Sequence, residues 1–407
     1  MRSLSRRDFL KGALLAGLGA VGAAAVLANW PRDALRKALE TVDLPFHARP
    51  ARYFLPLARS SHCGDCHGEA APSRFAFCHV EHRGDYVRCR LCPKGCIISE
   101  GQRGDCRTRE NRGGTLYTMT YGNPCALHVD PIEKKPFFHF LPASRAYSLA
   151  TAGCNLHCLY CQNWEISQIP PEESRFVRLL PAEVVAEAER TQSASIAFTY
   201  TEPVIFYEYM LDTALLARER GLRSVVVSAG YINPEPLQEL CRAVDAIKID
   251  LKGINEAFYE RVCSATLQPV LEAIRLIARS GVHLEIVNLV VPSLNDDPAD
   301  MRALARWVRD EAGPDVPLHF SRFYPQYKLL NLPPTPLESL EEARNTALAE
   351  GLHYVYIGNV PGHPGEHTYC PRCGEIVIRR AGMSTVEMHL QAGRCAYCGQ
   401  EIPGVWE

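Results

Sequence analysis

The 407-residue chain is expected to fold as an α/β protein, a partial (βα)6 TIM-like barrel with a small Cys-rich module before it and another after it. Three observations predict this. From about residue 145, short apolar strands alternate with amphipathic helices, the pattern of βα units around a parallel sheet. The chain holds 17 cysteines, most of them in C-x2-C pairs, and in a chain this long such pairs favour metal or cluster ligation over a disulfide framework. The length allows two or three domains of about 150 residues each. A hydrophobic content of 47% and a charged content of 22% supply ordinary core material. The net charge of -2 leaves no basic footprint, so nucleic acid is not a predicted partner.

Residues 1–28 read as a twin-arginine export signal. Ser5-Arg6-Arg7-Asp8-Phe9-Leu10-Lys11 precedes an uncharged Ala/Gly/Leu-rich run that ends at Ala28, too short and glycine-rich for a bilayer-spanning helix. Such a signal implies export or membrane tethering of a folded, cofactor-loaded chain. Residues 29–84 form a linker and a Cys/His-containing insertion. Within it, Cys63-Gly64-Asp65-Cys66-His67 has the form of a c-type haem attachment site. Haem c is the disfavoured reading, because haem is normally attached outside the cytoplasm to unfolded chains. Cys78, His79 and His82 offer zinc-type ligands instead, and an unliganded loop is the third reading.

Residues 85–140 form a four-cysteine module. Cys89, Cys92, Cys96 and Cys106 fall within eighteen positions, with Pro93, Gly95 and Gly101 at the turns. Four thiolates so placed make a closed site for structural zinc or a second Fe–S cluster, since thiolates suit both.

The barrel is expected over residues 141–362. Its strands are 146–152, 195–199, 222–227, 246–250, 283–291, 316–323 and 354–359, and its main helices are 182–192, 204–220, 236–243, 268–279, 298–312 and 338–350. Between the fourth strand and helix 268–279 a shorter helix is expected at 256–262. Ligands in parallel βα folds sit at the carboxyl ends of the strands. The first strand runs into Cys154-Asn155-Leu156-His157-Cys158-Leu159-Tyr160-Cys161. Three thiolates at C-x3-C-x2-C spacing hold three irons of a [4Fe-4S] cluster and leave the fourth open to a small molecule; the alternative is a zinc loop or scattered core cysteines. On the same rim, Thr201 and Glu202 are suited to an ammonium group. Asp250 and Lys252 are suited to a ribose diol and a carboxylate, and Ser228, Asn288 and Asn359 supply neutral donors and acceptors. Each of these taken singly also reads as a strand-end cap. Cys125 and His128, just before the first strand, are candidates to face the cavity, with core or capping roles the favoured reading.

Residues 363–407 hold Cys370, Cys373, Cys395 and Cys398, two C-x2-C pairs 21 residues apart with Pro371, Gly374 and Gly399 at the knuckles. This is the spacing of a structural zinc site between ribbon strands.

Ala152-Gly153-Cys154 through Cys161-Gln162-Asn163-Trp164, Tyr200-Thr201-Glu202-Pro203, Ile249-Asp250-Leu251-Lys252, Asn288 to Pro292 and Tyr356 to Gly362 resemble the radical S-adenosylmethionine (SAM) enzyme of the AmmeMemoRadiSam system, a family akin to pyruvate formate-lyase activating enzymes. The likeness covers roughly residues 85–407. It implies a radical SAM barrel followed by a zinc-ribbon-like module. It also implies Cys154, Cys158 and Cys161 as ligands of a [4Fe-4S] cluster whose open iron binds SAM, with Glu202 at the methionine amino group and Ser228, Asp250, Lys252 and Asn288 among the SAM contacts. Departures from the activating enzymes are visible. Their Gly-Gly-Glu-Pro is Tyr200 to Pro203 here, their Asp-Thr-Asn-Gly is Val227-Ser228-Ala229-Gly230, and Asn288 lies near where a basic residue is expected. The implied activity is reductive SAM cleavage to a 5'-deoxyadenosyl radical that acts on a substrate the motifs do not name. The implied partners are a low-potential electron donor and the Amme and Memo proteins of the same system. SAM is a cytoplasmic supply, which sets this reading against an export signal. An exported electron-transfer protein with haem c at Cys63, Cys66 and His67 is the alternative.

Overall fold

The computed structural model describes residues 44–57 and 86–407. The twin-arginine segment and the Cys63, Cys66, His67, Cys78, His79 and His82 readings lie outside the described residues. Contacts divide the chain into Met1–Phe46 and His47–Glu407, and the second unit holds every element below. Among the described residues no helix is long and apolar enough to cross a membrane.

Two small antiparallel sheets precede the barrel. In one, β1 (Arg49–Pro50) pairs with β6 (Thr115–Thr118), which also pairs with β5 (Arg109–Arg112); in the other, β3 (Tyr86–Cys89) lies between β2 (Phe54–Leu57) and β4 (Ile97–Ile98). They are too short to bury a core alone and pack on the barrel. The buried Arg109 side chain donates two hydrogen bonds to the Glu208 carboxylate, at 2.8 and 2.7 Å.

The main sheet has eight strands in the order β14-β13-β12-β11-β10-β9-β8-β7. They are β7 (Ala126–Pro131), β8 (Arg145–Ala150), β9 (Ser195–Phe198), β10 (Arg223–Ser228), β11 (Ala246–Asp250), β12 (His283–Val290), β13 (Leu318–Arg322) and β14 (Val355–Gly358). Strands β8 to β14 are parallel. Six crossover helices join them: α1 (Pro181–Arg190), α2 (Tyr207–Glu219), α3 (Pro234–Cys241), α4 (Gln268–Ser280), α5 (Pro298–Glu311) and α6 (Leu337–Ala349). The two ends of the sheet, β14 and β7, are not paired to each other, so the barrel is partial, as the repeat predicts.

The sequence accounts for these elements. Every residue of β9 is buried, as a parallel strand covered on both faces demands. Helix α4 buries Val270, Leu271, Ala273, Ile274 and Ile277, a 3.6-residue stripe, and ends at Gly281 with φ 81°, the left-handed stop that glycine takes cheaply. Helix α5 starts at Asp297, whose carboxylate accepts from Ala299 N at 2.8 Å and so satisfies a free helix-start donor.

Two elements depart from expectation. Helix 256–262 is a short α turn, Glu256–Phe258, continued by a π turn, Tyr259–Cys263, that ends at Ser264 with φ 55°. Strand β7, antiparallel to β8 with Ala126 opposite Ala150, was not expected. It is a half-exposed edge strand bounded by Pro131 and shows no clean alternation.

The last segment packs against the amino ends of the strands. Strand β16 (Ile376–Ala381) lies between β15 (Thr368–Tyr369) and β17 (Ser384–Met388), and β18 (Leu390–Gln391) pairs with β19 (Arg394–Cys395). Phe138, Tyr354, Tyr356, Val377, Ile378 and Ile402 form its shared core. The buried Glu285 carboxylate accepts from Phe138 N at 2.9 Å, from His139 N at 2.8 Å and from His319 Nε2 at 2.7 Å. Burial works against its charge, but the two facing histidines, His283 and His319, outweigh it and hold the carboxyl well below the usual range.

Candidate active site

The cysteine triplet leaves the carboxyl end of β8 through Gly153, whose φ of 102° belongs to glycine. Its loop is pinned by backbone bonds to the π turn, His157 N to Cys263 O at 3.0 Å and Leu159 N to Val262 O at 2.9 Å, and by Gly153 N to Ile166 O at 2.9 Å. Leu156 N points at the Cys154 sulfur at 3.4 Å, and Ser167 Oγ lies 3.1 Å from the Cys161 sulfur. Cys158 is buried, while Cys154 and Cys161 are partly buried.

The rim residues gather round this loop. Glu202 is buried; its Oε1 accepts from Ser228 Oγ at 2.7 Å and Val204 N at 3.1 Å, and its Oε2 accepts from Ala229 N at 2.8 Å. Burial raises its pKa above the ordinary value. Asp250 is bridged by two ammonium groups, Lys248 in close contact and Lys252 at 3.4 Å. Burial opposes its charge, yet the two lysines prevail and depress its pKa. Lys252 lies 6.0 Å over the Tyr160 ring. Burial again works against the charge, and Asp250, Cys158 and Cys263 turn the balance to hold it protonated. Asn288 donates to Leu251 O at 2.8 Å, while its buried Oδ1 meets no hydrogen-bond partner among the described residues.

Thus Glu202 and Ser228 form one group, and Asp250, Lys252 and Asn288 form another beside the triplet. Two expected rim residues serve as ties. Thr201 Oγ1 donates to Thr151 O at 2.8 Å, and Asn359 Nδ2 donates to Arg322 O at 3.1 Å. His128 is exposed on β7, its ring 5.6 Å from that of Tyr200; Cys125 is partly buried, and its N–H donates to Ala150 O at 2.8 Å. Sequence reasoning missed Cys263, a buried thiol beside Cys158 and 3.7 Å from the Tyr160 hydroxyl. It is 102 positions from Cys161 and belongs to no pair, so no spacing signal marks it.

Three clustered sulfurs, an unpartnered amide oxygen and a paired cation suit an iron–sulfur cluster with an exposed iron and an amino-acid ligand on it. The two four-cysteine sites differ. Cys370 and Cys398 sulfurs are 3.6 Å apart, Cys373 and Cys395 3.7 Å, and all four ligand atoms lie within 4.8 Å of one another, so this site is fit to hold a metal ion. Its two knuckles match: Gly374 N donates to Cys370 O and Gly399 N to Cys395 O, both at 2.9 Å. Cys89, Cys92, Cys96 and Cys106 instead line a cavity shared with Leu91, Ile98, Val204 and Ile205.

The Radical SAM superfamily model matches residues 148–307. The chain is 52% identical over 318 residues to an uncharacterised protein of Methanocaldococcus jannaschii, covering 78% of this chain and 95% of that one. It is 25% identical to a pyruvate formate-lyase-activating enzyme of Staphylococcus epidermidis over 53% of this chain and 90% of the relative. Among solved structures it is similar to a radical SAM methyltransferase from Sphaerobacter thermophilus, at 13% identity and a TM-score of 0.42, covering 89% of this chain and 97% of that chain. The chain belongs to the radical SAM superfamily and is an enzyme related to the pyruvate formate-lyase-activating enzymes.

Proposed function

We propose that this enzyme cleaves SAM reductively and directs the resulting radical at a substrate held over the carboxyl ends of the strands, as the radical SAM component of an AmmeMemoRadiSam system. The placement of Glu202 beside Cys154, and of Asp250 and Lys252 beside Cys158 and Tyr160, carries this reading. Cys154, Cys158 and Cys161 would hold a [4Fe-4S] cluster, which would supply the single electron for reductive cleavage of SAM.

The chain's own residues position and exclude. Glu202, desolvated and oriented by Ser228 and Ala229 N–H, takes the SAM ammonium through a charge-assisted bond. Asp250 faces the ribose hydroxyls, its orientation fixed between Lys248 and Lys252. Asn288 Oδ1 accepts from the bound ligand, and Lys252 neutralises a carboxylate. The buried walls of the half-barrel keep water from the radical. Cys370, Cys373, Cys395 and Cys398 hold structural zinc, whose short sulfur separations support a tetrahedral ion.

The motifs around Tyr200 to Pro203 and Tyr356 to Gly362 support the system assignment, with its Amme and Memo proteins and a low-potential donor as partners. Anaerobically reconstituted protein reduced with dithionite is expected to produce 5'-deoxyadenosine from SAM, and Cys158→Ala is expected to produce none. Intact SAM after reduction of a spectroscopically confirmed cluster overturns the reading. Co-purification of the tagged chain with the other two proteins checks the system assignment.

A further inference from the structure

We propose that Cys89, Cys92, Cys96 and Cys106 hold a second [4Fe-4S] cluster, closed by four thiolates, against the back of the Cys154 loop. The assignment does not rest on SAM cleavage. Spacing leaves zinc and iron–sulfur equal, and geometry separates them. Four sulfurs on one zinc, each at about 2.3 Å, sit about 3.8 Å apart. The C-terminal quartet has that contraction, with sulfurs 3.6 and 3.7 Å apart. Among the described residues the C-terminal quartet alone has all its ligand atoms within 4.8 Å of one another; the N-terminal sulfurs instead line a cavity. A single ion draws its four thiolates together, as at the C-terminal site, whereas thiolates held apart round a cavity suit a cubane of four irons and four sulfides.

The wall is chemically suited to it. Leu91, Ile98, Val204 and Ile205 supply an apolar lining. Arg109, also on the wall, is 1% exposed and gives its terminal nitrogens to Glu208 and Arg52. Its Nε meets no hydrogen-bond partner among the described residues. A cluster sulfide would supply an acceptor for it. Two further bonds reach the cysteine sulfurs, from Thr108 Oγ1 to Cys106 at 3.2 Å and from Asp105 N to Cys96 at 3.5 Å, and hydrogen bonds to sulfur are how proteins tune such clusters.

The cavity also adjoins the first site. Asn155, the residue after Cys154, lines it and leaves its buried Oδ1 without a partner among the described residues. His157 Nε2 lies 3.1 Å from the Asp105 carboxylate, tying the loop of one site to that of the other. A cluster with four thiolates has no open iron and passes electrons rather than binding a ligand.

The test is a Cys154→Ala, Cys158→Ala, Cys161→Ala triple variant, reconstituted anaerobically with iron and sulfide. It is expected to retain about four irons and four sulfides per chain and, after dithionite, a [4Fe-4S] electron paramagnetic resonance signal that SAM does not alter. No bound iron, or about two zinc ions per chain in place of one, overturns the proposal. Should the triple variant not accumulate, the wild type decides. About eight irons support the second cluster, and about four irons with two zinc ions overturn it. Cys92→Ser is expected to lose about four irons and keep the SAM-responsive signal; full iron retention overturns the proposal. Wild type that holds both clusters but leaves SAM intact contradicts the proposed function alone.

Discussion

Ser228 donates its hydroxyl to the Glu202 carboxylate at 2.7 Å, joining the carboxyl ends of the neighbouring strands β9 and β10. In the resemblance to the activating enzymes, Ser228 stands at the threonine of their Asp-Thr-Asn-Gly and Val227 at its aspartate. Glu202→Gln is expected to weaken SAM binding by about tenfold or more, the worth of a hydrogen bond to a charged group. Ser228→Ala is expected to weaken it by about two- to fivefold, because the hydroxyl orients the carboxylate rather than touching the ligand. Calorimetric titration of SAM at unchanged iron content checks both.

The same carboxyl gives a pH dependence. Burial raises the Glu202 pKa above 4.5, and only the ionised form pairs with an ammonium. SAM affinity is therefore expected to fall, as pH is lowered, at a higher pH than a free glutamate would produce. Glu202→Gln is expected to flatten that profile.

Gly153 is pressed against the N-terminal cysteine module. A Cβ at this position would lie 2.4 Å from Thr108 Cγ2 and 2.8 Å from the Cys106 carbonyl oxygen, at a φ of 102°. Gly153→Ala is expected to cost about 2–4 kcal/mol from backbone strain and overpacking together, and to lower the iron content of both sites. Thermal melts and iron assays check it.

His139 controls acid stability at the C-terminal module. It is fully buried, hydrogen-bonded to Tyr356 at 2.6 Å and Pro403 O at 2.7 Å. Burial lowers its pKa to about 3; Glu285 acts against this shift and Arg380 with it. Unfolded, the ring takes a proton below about 6.5. Its contribution is therefore complete above that pH and is lost on acidification toward 3, by about 1.4 kcal/mol per pH unit. Glu285, depressed in the folded state, loses stability in the same direction at lower pH. The melting temperature is expected to fall between pH 7 and pH 5, less steeply in His139→Phe.

Removal of the C-terminal metal is the remaining test. A chelator is expected to extract about one zinc per chain from Cys370, Cys373, Cys395 and Cys398 and to lower the melting temperature. Cys395→Ser is expected to do the same without changing the iron count. A melting temperature unchanged after zinc loss contradicts a structural role.

The sequence by itself determined the βα repeat, the partial barrel, the placement of the cysteine triplet after the first strand, and the rim at Glu202, Asp250 and Lys252. These follow from periodicity and short-range spacing, which act within one or two elements. Strand β7 escaped because an edge strand needs no alternation, and Cys263 escaped because its partner Cys158 is distant in the chain. Tertiary structure alone decided that Ser228 serves Glu202, that Thr201 and Asn359 are ties, and that Lys252 stands over Tyr160. It also set apart the two four-cysteine sites, of which spacing marked only the C-terminal one as a zinc site: that one is drawn in to tetrahedral distances, the other lines a cavity whose wall includes the neighbour of Cys154. Spacing along a chain fixes which thiols can meet, but the volume they enclose is set by the elements packed around them.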